Sequence, residues 1–182
     1  MSQLLSRSDC IERFGSDYHT AQQINAGKLF RIGKGIFAEQ NYVPEIALLS
    51  WKYPKAIVTM VSAFYHYGLT DVIPEKCDLA TDMDSAKIRD IRVHQYFLPR
   101  DFLPVGATND EDNGFTIRIY SRERMLIELL RYKNKLPFDL YKEVLLNYRK
   151  IMPQLNIQEI QDIAMQSPKQ AMVMEALQME VL

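Results

Sequence analysis

The stretch "LSRSDCIERFGSDYHTAQQINAGKLFRIGKGIFA", Leu5 to Ala38, decides how the chain begins, because it places Gly27, Gly33 and Gly35 among Lys28, Arg31 and Lys34 in a protein with only seven glycines. The glycines act as punctuation. Polar Ser6 and Ser8 can start a helix, Cys10, Ile11 and Phe14 are apolar at helical spacing, and Gly15 stops it. Ser16 or Asp17 restarts a second helix with Tyr18, Ala21 and Ile24 as its inward stripe, ended by Gly27. "KLFRI" and "GIF" are β-formers, and the Gly33-Lys34 pair between them suits a hairpin turn that needs glycine first.

Two short helices and a basic hairpin within 38 residues are the layout of a winged helix-turn-helix. With Ala21 and Ile24 inward, the opposite face of the second helix carries Ser16, His19, Thr20 and Gln23, with Gln22 beside them. These side chains donate and accept at base edges in a major groove about 12 Å wide. Lys28, Arg31 and Lys34 on the hairpin suit phosphates, which contribute affinity and orientation. The competing reading is a capped helical hairpin with a solvated polar face.

The rest of the chain changes character. "PEIALLSWKYP" (44–54) and "AIVTMVSAFYHYG" (56–68) read as two helices bounded by prolines and Gly68. "KCDLATD" (76–82), "DIRVHQYFL" (90–98) and "FTIRIY" (115–120) read as strands, with "TNDEDNG" (108–114) as an acidic loop. Four helical patterns follow, over 121–134, 137–151, 156–166 and 167–182. The expected fold class is α+β: a winged helix-turn-helix over 1–38, then a larger mixed α/β domain over 41–182 ending in helices.

Composition bounds the function classes. A chain of 182 residues, 47% hydrophobic and 25% charged, has enough core to fold without disulfides or metal, and its two cysteines, Cys10 and Cys77, indicate neither. The start "MSQLLSRSDC" lacks a signal-peptide pattern, and no window approaches the roughly 18 apolar residues of a membrane span, so a cytoplasmic protein is expected. So few residues precede Ser6 that a helix ahead of the pair is expected to be short or missing. Residues 1–37 carry a net +2, 38–115 a net −5 and 116–182 a net +2, which excludes a nonspecific polycation.

The densest basic run holds Arg118, Arg122, Arg124, Arg131, Lys133 and Lys135. It reads either as a solvated helix face with Arg124 and Glu128 paired at i,i+4, or as a second surface for anionic DNA or RNA. At the C-terminus, Met172, Met174, Leu177 and Met179 suit core packing, with self-association as the runner-up.

No catalytic constellation stands out. Gly15-Ser16 starts like a nucleotidyltransferase signature, but carboxylates to hold a metal do not follow, and Asp82 and Asp84 lie 66 residues past Ser16. None of His19, His66 and His94 sits in the local context of a catalytic nucleophile, and no phosphate-binding loop or dinucleotide fingerprint occurs. No catalytic residue, metal or cofactor is assigned, and the chain is read as a non-enzyme.

The N-terminal stretch, above all "GKLFRIGKGIF", resembles the winged helix-turn-helix of AbiEi-type antitoxins of bacterial abortive-infection toxin–antitoxin systems. "AIVTMVSAFYHYGLTDVIPEKCDLAT" resembles the start of that family's larger domain, and "YSRERMLIELLRYKNKLPFDLYKEVL" continues the likeness more loosely. The resemblance implies a repressor of its own operon, bound to operator DNA, whose larger domain counteracts a nucleotidyltransferase toxin without a stable complex, the type IV arrangement. The alternative is a protein-interaction module or a transcriptional regulator without antitoxin activity.

Overall fold

The computed structural model describes residues 3–181 and shows an α+β protein in two compact units, residues 1–54 with 110–117, and residues 55–109 with 118–182. The sequence places a boundary between 38 and 41, and the first compact unit runs on to Pro54.

The first unit starts with β1 (Leu4–Ser6), which leads directly into α1 (Arg7–Phe14). Ser6 caps α1 by accepting from the Asp9 N–H, while the Asp9 carboxylate accepts from the Ser6 N–H at 2.7 Å. This reciprocal cap is worth about 1 kcal/mol and stops the strand where the helix begins. Helix α2 (Asp17–Asn25) follows after two residues, capped by Ser16. It ends in a paired-bond stop, the Lys28 N–H reaching the Gln23 carbonyl and the Gly27 N–H the Ile24 carbonyl, with Gly27 at φ +68.

Strands β2 (Phe30–Gly33) and β3 (Ile36–Ala38) complete a three-stranded antiparallel sheet in the order β1-β3-β2. The hairpin differs from the sequence expectation. Gly33 pairs with Ile36 inside the ladder, and the turn is Lys34-Gly35 with only Gly35 at positive φ, +71. The left-handed position falls second in the turn, so glycine is needed there while Lys34 keeps an ordinary backbone. Leu5, Cys10, Leu29 and Phe37 form the core, with Phe14 and Ile24 packed on it. Helix α3 (Glu45–Lys52) lies between Pro44 and Tyr53 as its caps.

The second unit corrects one helix. The run read as a helix from Ala56 divides into β4 (Ile57–Val58) and α4 (Met60–His66), with Thr59 between them and Met60, the first residue of α4, at φ +46. Ile57 and Val58 are fully buried, and Val58 pairs with both Leu79 and Ile119. A central strand covered on both faces is a continuous apolar run, which periodicity cannot tell from a buried helix. Strands β5 (Cys77–Asp82), β6 (Val93–Leu98), β7 (Ala107–Asp112) and β8 (Phe115–Tyr120) share its sheet in the order β6-β5-β4-β8-β7, residues 110–117 of β7, β8 and their turn being counted with the first unit. The segment read as an acidic loop is therefore mostly strand β7. Asn113 and Gly114, at φ +49 and +83, form the Asn-Gly turn that returns the chain into β8 despite the poor β-propensity of the acids.

Helices α5 (Arg122–Arg131), α6 (Phe138–Ile151), α7 (Ile157–Gln166) and α8 (Gln170–Glu180) match the four helical patterns. Helix α5 packs against α4, α6, α7 and α8, and every residue from Arg124 to Leu130 is buried. An apolar run with no polar face, "MLIELL", suits a helix enclosed on all sides. Leu177 is buried in α8, Met172 and Met174 are half-buried, and Met179 is exposed. Among the described residues no helix is long and apolar enough to cross a membrane.

Candidate nucleic-acid interface

The α1–α2 pair and the β2–β3 hairpin lie in one compact unit, so all eight sequence-selected residues share it. Their orientation differs from the expectation. Thr20 is 5% exposed and donates its hydroxyl to the Ser16 carbonyl at 2.9 Å, whereas Tyr18 is 69% exposed. Helix α2 is thus rotated: Thr20 and Ile24 turn inward, and Tyr18, Ala21, Gln22 and Asn25 turn out. A threonine satisfies its hydroxyl on the preceding turn and buries its methyl, so it takes a core position that hydropathy alone assigns to alanine.

Ser16 is occupied as a cap, its hydroxyl accepting from the His19 N–H at 3.2 Å and lying 3.1 Å from His19 Nδ1. His19 is exposed, with its ring edge-on to Tyr18 at 5.6 Å between centroids. Gln22 is exposed, and Gln23 is half-buried.

Charge separates into paired and unpaired groups. Arg7 binds Asp17 at 2.5 Å and ties the start of α1 to the start of α2, while Arg13 binds Glu39 at 2.7 Å. The Arg7 hydrogen bond holds the Asp17 carboxyl below the usual carboxylate range. Lys28, Arg31 and Lys34 are exposed and make no ion pair among the described residues. The hairpin therefore offers three uncommitted cations beside a helix whose outward face carries hydrogen-bonding and aromatic groups.

The proposed second basic surface does not form as one patch. Arg124 is fully buried, its guanidinium 2.8 Å from Glu128 and stacked 3.6 Å from the Phe102 ring centroid and 4.2 Å from that of Tyr120. Its Nη1 also donates to the Phe102 carbonyl at 2.9 Å and to that of Val105. Arg131 reaches the same Glu128 at 2.7 Å with 10% exposure, and Lys133 is held by Glu180. Arg122 stands over the Tyr67 ring, Lys135 over Tyr132, and Arg118 is half-buried. The i,i+4 pair exists, but inside the core, because α5 is surrounded by helices.

One ionisable pair had no signal in the linear sequence. Asp78 on β5 and His94 on β6 are register partners in parallel strands, and His94 Nδ1 lies 3.1 Å from the buried Asp78 carboxylate. Burial pushes the Asp78 carboxyl up to about 6, with His94 and the Ser62 N–H opposing it. The Ser62 hydroxyl accepts from the Asp78 N–H at 2.8 Å and donates to the Lys76 carbonyl, so it serves the fold. Asp82 and Asp84 both receive Arg100, and among the described residues no cluster of three or more His, Cys, Asp or Glu is arranged to hold a metal ion. His66 is half-buried with its ring against Tyr67.

The class defined by this geometry is an α+β protein with a capped helix pair and a cationic hairpin in one unit and a mixed five-stranded sheet with a helical C-terminal segment. No protein-family model and no curated protein matches the chain.

Proposed function

We propose that this protein is a cytoplasmic DNA-binding antitoxin that represses its own operon through an N-terminal winged helix-turn-helix and counteracts a nucleotidyltransferase-like toxin. The observation that carries the DNA-binding reading is the three exposed cations Lys28, Arg31 and Lys34, which make no ion pair among the described residues, on and leading into a hairpin that follows a two-helix unit whose outward helix face carries hydrogen-bonding and aromatic groups. Such cations bind phosphates and orient a helix toward base edges. The antitoxin half rests on the resemblance of the chain's order of motifs to AbiEi-type antitoxins.

The test has two arms. Purified full-length protein is titrated with DNA from upstream of its own reading frame, and the gene is co-expressed with the neighbouring reading frame in growing cells. Salt-sensitive binding that prefers the upstream DNA, with rescue of growth, supports the proposal. Binding without rescue leaves a transcriptional regulator, and no binding at low salt sinks the DNA-binding reading.

A further inference from the structure

Helix α2 presents one exposed stripe, Tyr18, Ala21, Gln22 and Asn25, at the i, i+3, i+4, i+7 spacing of a single helical face. We infer that this stripe reads A·T base pairs in the major groove, Tyr18 and Ala21 packing on thymine methyls while Gln22 and Asn25 pair with adenine edges; the inference rests on the DNA-binding reading above.

The chemistry of the stripe selects among bases by what it holds and by what it omits. A carboxamide offers one acceptor and one donor in the geometry of adenine N6 and N7, and the stripe has two, Gln22 and Asn25. Thymine alone exposes a methyl group in the major groove, and an exposed aromatic ring next to a bare methyl is its apolar complement. Guanine calls for two donors from Arg or Lys, and cytosine for a carboxylate acceptor. Neither occurs on this stripe. The one acid of α2, Asp17, is committed to Arg7, Arg13 is paired with Glu39, His19 lies to one side of the stripe, and Lys28, Arg31 and Lys34 come after Gly27, on or leading into the hairpin.

The rotation of α2 makes this assignment. Were Tyr18 and Ala21 inward, the face would present Thr20 and Gln23, with one carboxamide and no aromatic ring to meet a thymine methyl. With Thr20 bonded to Ser16 and Ile24 packed on the core, the apolar groups come out beside the carboxamides. From Tyr18 to Asn25 the helix advances about 10 Å, the length of roughly three base pairs.

The experiment selects binding sites for the full-length protein from a pool of randomised duplexes, then replaces thymine by deoxyuridine within the selected site. The expected result is an enriched run of three to four A·T pairs. Each deoxyuridine that removes a contacted methyl should weaken binding about fourfold, the loss for one exposed carbon. Gln22→Ala should cost about tenfold on the selected site and nothing on a duplex of G·C pairs. In Tyr18→Ala the difference between thymine and deoxyuridine should vanish at the base pair under Tyr18 and persist at the one under Ala21. Selection of G·C pairs, or equal affinity for thymine and deoxyuridine sites, overturns the inference while leaving DNA binding intact. Failure to bind any duplex at low salt overturns the DNA-binding reading itself, and the inference with it. The deoxyuridine arm alters only the DNA, so a folding defect in a variant cannot imitate it.

Discussion

Arg124 lies 2.8 Å from Glu128 with both side chains at 0% and 1% exposure, and the guanidinium is clasped between the rings of Phe102 and Tyr120. Two carbonyls of the 102–105 loop accept from the same guanidinium, so one side chain ties that loop to the central helix. Removing one partner leaves an uncompensated charge in the core. Arg124→Met should therefore destabilise the protein by about 3–5 kcal/mol, read as a lowered midpoint in urea denaturation. A change under about 1 kcal/mol would show the pair to be replaceable by apolar packing.

Gly106 sits against the same arginine. A Cβ there would lie 2.5 Å from Arg124 Cβ, and the backbone is left-handed at φ +71. Gly106→Ala meets both obstacles, steric overlap and a conformation that L residues avoid, and should cost roughly 2–4 kcal/mol. Thermal unfolding checks this, with Gly35→Ala in the hairpin as the comparison. At Gly35 a Cβ meets nothing within 4 Å, so only the backbone cost of about 1–2 kcal/mol applies.

Asp78 should give stability an unusual pH dependence. Its folded pKa, about 6, is raised above the ordinary value of 3.8. Folding therefore favours its protonated form, and the contribution is fully present below about pH 3.8 and lost as pH rises through about 6. Asp78→Asn, which cannot ionise, should gain stability relative to the native protein between pH 4 and pH 7, by up to about 3 kcal/mol. Denaturant titrations at closely spaced pH values test it. Parallel profiles for the two proteins would mean that Asp78 titrates alike in the folded and unfolded chain.

On DNA, the hairpin cations should act through phosphates. Neutralising Arg31 or Lys34 should weaken binding to all sequences alike and reduce the slope of log affinity against log salt by about 0.9 for each contact removed. Thr20→Val, which keeps the shape and removes the hydroxyl, should lower stability by about 1 kcal/mol and leave sequence preference unchanged. A selective loss on the preferred site would place Thr20 at the bases after all.

Much of the architecture was written in local signals. Ser6, Ser16, Gly15 and Gly27 delimit α1 and α2 because capping bonds and left-handed backbone are local requirements. Pro44 and Pro54 bracket α3 for the same kind of reason, and the four C-terminal helices α5 to α8 follow from the length of their helical patterns. The hairpin of β2 and β3 was visible as two runs of β-formers around glycine. Its turn residues were misplaced by one, because glycine stands on both sides of Lys34 and only the bulged register of β2 on β3 selects Gly35.

What the chain determined by itself is therefore what is settled within a few residues: the caps and stops of the helices and the basic character of the hairpin. Only the tertiary structure decided which side of α2 faces out, since hydropathy favours Ala21 inward, whereas Thr20 is buried with its hydroxyl satisfied on the Ser16 carbonyl and Ile24 packs on the core of Leu5, Cys10, Leu29 and Phe37. It also decided that Ile57-Val58 is a central strand, because the partners that flank Val58 on its two edges, Leu79 and Ile119, lie 21 and 61 residues away. The same holds for the paired Asp78 and His94, and for Arg124, whose charge is drawn into the core by a ring, a carboxylate and two carbonyls brought together by the fold. Long-range contacts carry these outcomes, and their partners are chosen by three-dimensional proximity, which spacing along the chain does not encode.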